Sequence, residues 1–503
     1  MTASARDLSG RPDPRSAGSR SSFDVLVVGS GFAGICMGVH LRRLGLRFLI
    51  LERASDIGGT WRDNTYPGCA CDIPSHLYSF SFEPNLNWSR IYPSQPEILA
   101  YLHRCVDKYR LADNILLDSE VREAVFDERA RLWRVQTQRG EVFSAGVLVS
   151  AMGPLSRPAL PAIPGRERFK GRAFHSSAWD HGLNLAGKRV AVIGAGASAI
   201  QIVPQIAPQV EKLAVFQRTP PWIVPKWDGR ISDRPRLIFR RVPGSMRLFR
   251  SLLYWLHESL ALGLLNPKLL RPMRGFALAH LARNIADPLL RQALTPSYTI
   301  GCKRILLSND YYSALARPNV ELVTDGIAEI RDWSIVTRDG TDRPFDVIVF
   351  ATGFRASDLL TPLRIIGRDG ADLGTAWREG AEAFRGVTMA GFPNLFMLVG
   401  PNTLLGHNSM IFMIEAQVHY IVQCLKWLRR RVGSSMDPRP EVQARFNRDL
   451  QGRMQGSVWA SGCKSWYLDA AGKIVTLWPG STARYWLLTR RLSPSHYRLS
   501  PGA

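Results

Sequence analysis

Continuous apolar runs of strand length recur along the chain. The first, Phe23 to Val28 (FDVLVV), is followed by Gly29-Ser30-Gly31-Phe32-Ala33-Gly34 and then by ICMGVHLRRLG, whose apolar positions return at helical spacing. The pattern predicts a strand, a tight turn and a helix, which is the setting in which G-x-G-x-x-G holds a dinucleotide. The first glycine makes the turn, the second lets a pyrophosphate approach the backbone, and the third lets the helix pack on its strand, with the helix N-terminus facing the phosphates. The next apolar run, FLILE, ends at Glu52. That is close to the ~20-residue offset at which a carboxylate accepts hydrogen bonds from an adenosine ribose.

The pattern returns at KRVAVI (188–193), followed by Gly194-Ala195-Gly196-Ala197-Ser198-Ala199, with alanine in place of the third glycine. Its partner run, KLAVFQRT, ends in Gln217-Arg218-Thr219 and carries no acid. A carboxylate suits a ribose diol, whereas Arg218 with the Thr219 hydroxyl suits a 2′-phosphate. The first site therefore reads as FAD-binding and the second as NADPH-binding. Two further apolar strands, VLVSAMG (147–153) and VIVFATG (347–353), each end in Ala-x-Gly and bracket the second site. They mark where the chain crosses between nucleotide-binding sheets.

The fold expected is α/β, with two Rossmann-like dinucleotide-binding domains and a helical insertion. The division is a flexible tail over 1–21, an FAD domain in two parts (22–155 and 357–503), and an NADPH domain in two parts (156–222 and 297–356). The insertion occupies 223–296, where runs such as SLLYWLHESLALGLL are spaced as amphipathic helices.

Composition narrows the picture. The 503 residues are 46% apolar and 21% charged, as in a globular enzyme. The seven cysteines show neither C-x-x-C nor a paired spacing that would bind zinc or frame a secreted fold, so a reducing compartment, the cytoplasm, is expected. The longest stretch free of charged residues, 386–414, is broken by Pro393, Gly400-Pro401-Asn402 and Gly406-His407-Asn408, which makes it strand, turn and helix start and not a membrane span. The net charge of +23 would suit a polyanion. No nucleic-acid-binding signature accompanies it, so a nucleic-acid partner is not expected. The insertion alone holds thirteen Lys and Arg against four acids, a net +9. Its arginines are either solvated around a helical lining of a substrate tunnel or in peripheral contact with an anionic membrane.

Between the glycine loops, Phe169-Lys-Gly171-Arg-Ala-Phe-His175-Ser-Ser-Ala-Trp179-Asp180 matches F-x-G-x-x-x-H-x-x-x-W-[P/D]. From Gly58 to Asp72, GGTWRDNTYPGCACD matches [A/G]-G-x-W-x-x-x-x-[F/Y]-P-[G/M]-x-x-x-D. With both glycine loops in order and A-T-G at 351–353, the chain from about residue 22 resembles the Baeyer–Villiger monooxygenases, of the class B flavoprotein monooxygenases. Related flavin-containing monooxygenases of nitrogen and sulfur carry Tyr or Phe where this chain has Trp179.

The resemblance implies that NADPH reduces FAD, dioxygen adds at flavin C4a, and the peroxyflavin converts a ketone to an ester or lactone. It implies Arg304 as the cation beside the peroxide, since an arginine supplies fixed charge without acting as an acid. Asp72 is implied as its partner, and Lys303 faces the NADPH 2′-phosphate. Thr60, Trp61, Tyr78 and Val121 join Phe32, Ala33 and the glycines as FAD contacts, Ser198 joins the NADPH loop, and Trp466 meets the nicotinamide end. His175 is a structural or hinge residue. A helix starting near Ser409 would aim its N-terminus at the flavin C2 carbonyl.

One departure concerns the substrate loop: Ser465-Trp466 is followed by YLDAAGK and WPGST, where cyclohexanone-oxidising relatives carry Gly-Ala-Asn, so substrate range is not carried over. Three rival readings stand beside this one. An N- or S-oxygenase would use the same peroxyflavin. A disulfide reductase would need a redox cysteine pair, for which the C-x-C of Cys69 and Cys71 is a poor candidate. The third is a non-catalytic basic nucleotide-, membrane- or nucleic-acid-binding protein.

Overall fold

The computed structural model describes residues 22–431, 433–463, 465–469 and 471–500; the tail at 1–21 lies outside them. The chain runs through strands β1 (Ser22–Val28), β2 (Phe48–Leu51), β3 (Ile115–Leu116), β4 (Val121–Asp127), β5 (Leu132–Thr137) and β6 (Val142–Ser150). It continues through β7 (Arg172–His175), β8 (Arg189–Ile193), β9 (Lys212–Phe216), β10 (Val320–Val323), β11 (Val347–Phe350), β12 (Arg364–Ile366) and β13 (Leu395–Met397). The helices that matter below are α1 (Phe32–Arg43), α2 (Ala199–Ile206), α3 (Asp233–Arg241), α4 (Ser245–Leu265), α5 (Arg271–Asn284), α6 (Met410–Arg429) and α7 (Thr482–Thr489).

Two sheets carry the nucleotide turns. The larger has the order β12-β4-β5-β6-β1-β2-β3, with β13 also on β6. The start of β6 pairs with β5, its end with β13, and its other edge with β1. Residues before 151 and after 363 therefore share one sheet. The smaller sheet, β10-β9-β8-β11-β7, is wholly parallel.

Because a parallel sheet is covered on both faces, its strands read as unbroken apolar runs and not as alternation. Val190, Val192, Leu213, Val215, Val347 and Val349 pack on one side, and Ala191, Ile193, Ala214, Phe216, Ile348 and Phe350 on the other. Each such fully buried Val or Ile contributes roughly 1.5–3 kcal/mol.

The two Ala-x-Gly crossings have a shared physical role. Gly29 (φ +101°) and Gly194 (φ +119°) sit in the left-handed region, and a Cβ on them would lie 2.7 and 2.3 Å from the carbonyl oxygens of Ala151 and Ala351. Each crossing strand thus ends directly beneath a glycine turn, and only glycine fits there.

Residues 223–296 form helices around α3, α4 and α5, and among the described residues no helix is long and apolar enough to cross a membrane. The charge-free stretch 386–414 resolves into β13, turns, and the start of α6, whose first turn is capped by the Ser409 side chain accepting from the Ile411 amide. The cysteine spacing missed one pairing: Cys302 and Cys463 form a disulfide across 161 residues, a contact that no local motif encodes. The other five cysteines, Cys69 and Cys71 among them, are free and buried.

Candidate active site

The turn after β1 is closed on one side and open on the other. A Cβ on Gly34 would lie 1.9 Å from the Gly29 carbonyl oxygen, so α1, which starts at Phe32 and Ala33, packs as tightly as its backbone allows. A Cβ on Gly31 would meet nothing nearer than 3.9 Å, so that backbone is open to an approaching group. Glu52 follows β2 and is 4% exposed. One of its carboxylate oxygens accepts from the Ser30 amide and hydroxyl at 2.8 and 2.7 Å, and the other from the Ala54 amide and Arg62 Nη1 at 3.1 and 2.9 Å. Val121, at the start of β4, is buried two residues after Ser119, whose amide donates to the Glu52 carbonyl.

The turn after β8 repeats the cradle with a different rim. Gly196 faces open space, and Ser198 leads into α2 with Ala199 fully buried at its start. Past β9, Gln217 is buried, Arg218 is exposed and Thr219 half-buried. A two-residue parallel pair, Ile223–Val224 with Leu306–Leu307, draws the 303–304 segment beside this strand exit. Lys303 Nζ lies 4.8 Å from the Tyr298 ring centroid. Its pKa is lowered, first by burial and then by the neighbouring Arg218 charge. Lys303 therefore stands close enough to Arg218 to feel its charge.

The segment 58–72 links the two cradles. The Gly58 amide donates to the Ser30 carbonyl, and the single helical turn Thr60–Asp63 follows. Trp61 Nε1 donates to the Tyr78 hydroxyl at 3.0 Å, and the Tyr78 ring meets Phe32 edge-on at 5.2 Å. Further on, the Tyr66 hydroxyl bonds Gln201 Oε1 at 3.1 Å, and a Cβ on Gly68 would lie 2.8 Å from the Gln201 carbonyl of α2. The segment ends at Asp72, whose Oδ2 accepts from Arg304 Nε at 2.8 Å and Nη2 at 2.6 Å. Asp72 raises the Arg304 pKa further, so the guanidinium is a permanent cation. The two side chains keep 29% and 30% of their surface. Tyr467, buried beside this pair, has its hydroxyl pushed up to about 12 by burial against the opposing pull of Arg304. Its neighbour Trp466 is 40% exposed.

His175 is placed as a structural residue. Its Nδ1 accepts from the Ser177 amide, so the proton sits on Nε2, which donates to the Gly353 carbonyl at 3.0 Å. Burial lowers its pKa and keeps it neutral. It therefore ties the 169–180 motif to the strand crossing without carrying charge.

The family model for pyridine nucleotide-disulphide oxidoreductases matches residues 26–237. A Baeyer-Villiger monooxygenase of Pseudomonas aeruginosa is 48% identical over 98% of this chain and 94% of its own length. The chain belongs to the Baeyer-Villiger monooxygenases. Its fold matches a solved steroid monooxygenase bound to NADP with TM-score 0.86 and 32% identity, over 96% of this chain and 100% of the other. It also matches OTEMO in complex with FAD and NADP with TM-score 0.86 and 27% identity, over 95% of this chain and 99% of the other.

In this Baeyer-Villiger monooxygenase several site residues escape a motif reading. Arg62 stands at a variable position of the 58–72 pattern, and only its bond to Glu52 reveals it. Gln95 donates through Nε2 to the Trp61 carbonyl and thereby fixes the turn that carries Thr60 and Trp61. Gln201 joins the 58–72 segment to α2, and Tyr467 lies beside Arg304. The adjacency of Tyr467 to Trp466 was the one available sequence signal.

Proposed function

We propose that Arg304 is the catalytic cation of an FAD- and NADPH-dependent Baeyer–Villiger oxidation, in which a ketone and dioxygen give an ester or lactone, and that Asp72 positions it. The observation that carries this is the Arg304–Asp72 pair, held at the end of the segment that bridges both glycine cradles and only partly covered by the protein. When bound, FAD supplies the activation of dioxygen, and NADPH the hydride. The cradle fits these groups: its second glycines are open, Glu52 is a desolvated carboxylate fixed at the end of β2, and Arg218 with Lys303 offers two cations to a phosphate.

The roles of this chain's residues follow from those positions. Gly29, Gly31, Phe32, Ala33 and Gly34 receive the FAD pyrophosphate at the start of α1, while Glu52 and Val121 flank the adenosine end. Thr60, Trp61 and Tyr78 border the flavin. Gly194, Gly196, Ser198 and Ala199 receive NADPH, with Arg218, Thr219 and Lys303 at its 2′-phosphate and Trp466 at its nicotinamide end. Arg304 holds positive charge where oxygen-centred negative charge develops, and as an arginine it cannot quench that charge by protonating it. The five free buried cysteines agree with the cytoplasm as the place of action, and the Cys302–Cys463 disulfide stands against it.

The test is product analysis. Purified holoenzyme with NADPH and dioxygen is given linear, cyclic, aromatic and steroid ketones and one sulfide, and products are read by mass spectrometry. Ester or lactone from at least one ketone is expected. Sulfoxide with no ester from any ketone would replace this reading by an S-oxygenase.

A further inference from the structure

Helix α4 is turned inside out. Two of its three charged side chains, Arg250 and Glu258, face the protein. Arg250 donates through Nη1 to the His76 carbonyl and at 2.7 Å to the Ser79 hydroxyl. Glu258 accepts from Asn408 Nδ2 at 2.8 Å and from the Thr482 hydroxyl at 2.7 Å. Five of its eight leucines face outward, while Leu264 is buried. Leu248, Leu252, Trp255, Leu256, Leu260 and Leu262 fall on one side of the helix with Ser251 and Ser259, and Leu248, Leu252 and Trp255 are 74%, 65% and 61% exposed. Among the described residues, that outward face carries no charge from 248 to 262. A soluble surface helix normally shows the reverse arrangement.

The surroundings extend the face and give it a sign. Ile238 and Val242 near the end of α3 are exposed, as are Phe276 of α5 and Leu487 of α7, the helix to which Glu258 ties α4 through Thr482. Arg240 and Arg241 precede α4, Arg247 opens it, and Lys268, Arg271 and Arg274 follow it, all exposed. Among the described residues, 245–284 contain one acid, and that is the buried Glu258.

We propose that this face docks on an anionic lipid bilayer, with α4 lying in the interface plane, Trp255 and the leucines below the headgroups, and the flanking arginines and Lys268 on lipid phosphates. A long uncharged apolar face with a tryptophan and a purely basic rim has the chemistry of such a surface. The inner side of α4 grips His76 and Ser79, on either side of Tyr78, so the docked helix adjoins the site segment and lies where a lipophilic substrate leaves the membrane.

The experiment uses the FAD-loaded full chain and flotation with phosphatidylcholine vesicles, with or without phosphatidylglycerol. Flotation with the phosphatidylglycerol vesicles, a blue shift of tryptophan emission and release at high salt are expected, with little binding to phosphatidylcholine alone. L252E/W255E is expected to bind more than about tenfold more weakly, and R271E/R274E to lose the preference for phosphatidylglycerol, while both keep the FAD content and Tm of the parent. Absence of flotation at low salt overturns the proposal. So does unchanged binding by L252E/W255E or an unchanged phosphatidylglycerol preference in R271E/R274E. A dimer in sedimentation velocity that L252E/W255E dissociates assigns the face to a second copy of the chain and overturns it equally.

Discussion

The two nucleotide cradles share a backbone plan and differ in their rims. Both first glycines close against the carbonyl of a crossing strand, and both second glycines face open space. At the third position they part: a Cβ on Gly34 would collide with Gly29, whereas Ala199 already carries one and is buried without conflict. The rims differ more. Glu52 is sealed under four hydrogen-bond donors, while Arg218 stands exposed and Lys303 half-buried. A carboxylate that is to select neutral hydroxyls gains from being desolvated and fixed in advance. Cations that receive a phosphate pay less desolvation if they remain wet.

Gly34→Ala breaks that comparison most severely. The added methyl meets backbone, so α1 must retreat, at about 3 kcal/mol or more. A colourless protein with a lowered Tm is expected in absorbance and thermal melts. Ala199→Gly, the reciprocal change, should keep FAD content and cost only about 1 kcal/mol.

Arg304→Ala tests the group between the cradles. Ester formation should fall by about 10²–10³-fold or more, while flavin content and its bleaching by NADPH in stopped flow stay near the parent. Loss of flavin in this variant would mean that the arginine holds the fold instead.

Arg218→Ala sharpens the contrast between the rims. Losing one charge-assisted contact of roughly 1.5–3 kcal/mol should lower the NADPH-over-NADH preference in kcat/KM about 10- to 100-fold. FAD content should not change. The smallest effect is on pH dependence. Lys303 binds phosphate only when charged, and its pKa is lowered. KM for NADPH should therefore rise at a less alkaline pH than an ordinary lysine would give, and KM for NADH should not follow. Without cofactor the unfolded chain binds more protons than the folded one between the two Lys303 pKa values, so this residue's contribution to stability rises with pH across that window.

Much of this was legible because it is local. Strand, glycine turn and helix lie within about twenty residues, and an acid or an arginine at the end of the next strand distinguishes the two ligands. The 58–72 pattern was legible as a string and illegible as an object. That it starts at one cradle, crosses to α2 through Tyr66 and Gln201, and ends on Arg304 depends on contacts across 135 and 232 residues. Arg62 and Gln95 were missed for the same reason, since their partners are set by folding and not by spacing. In the insertion, periodicity correctly announced amphipathic helices, but it cannot say which face turns inward. On α4 Arg250 and Glu258 turned in and left most of the leucines outside, because they found bonded partners at 76–79, 408 and 482.

The amino-acid sequence by itself determined the two glycine turns, the acid and the arginine that set their rims apart, and the family, because these rest on backbone geometry and on single charges at strand ends. Tertiary structure alone decided how the bridging segment joins the sites, how Asp72 fixes Arg304, and where the excess of positive charge becomes a surface. Those properties depend on which distant groups desolvate one another, and chain order does not specify that.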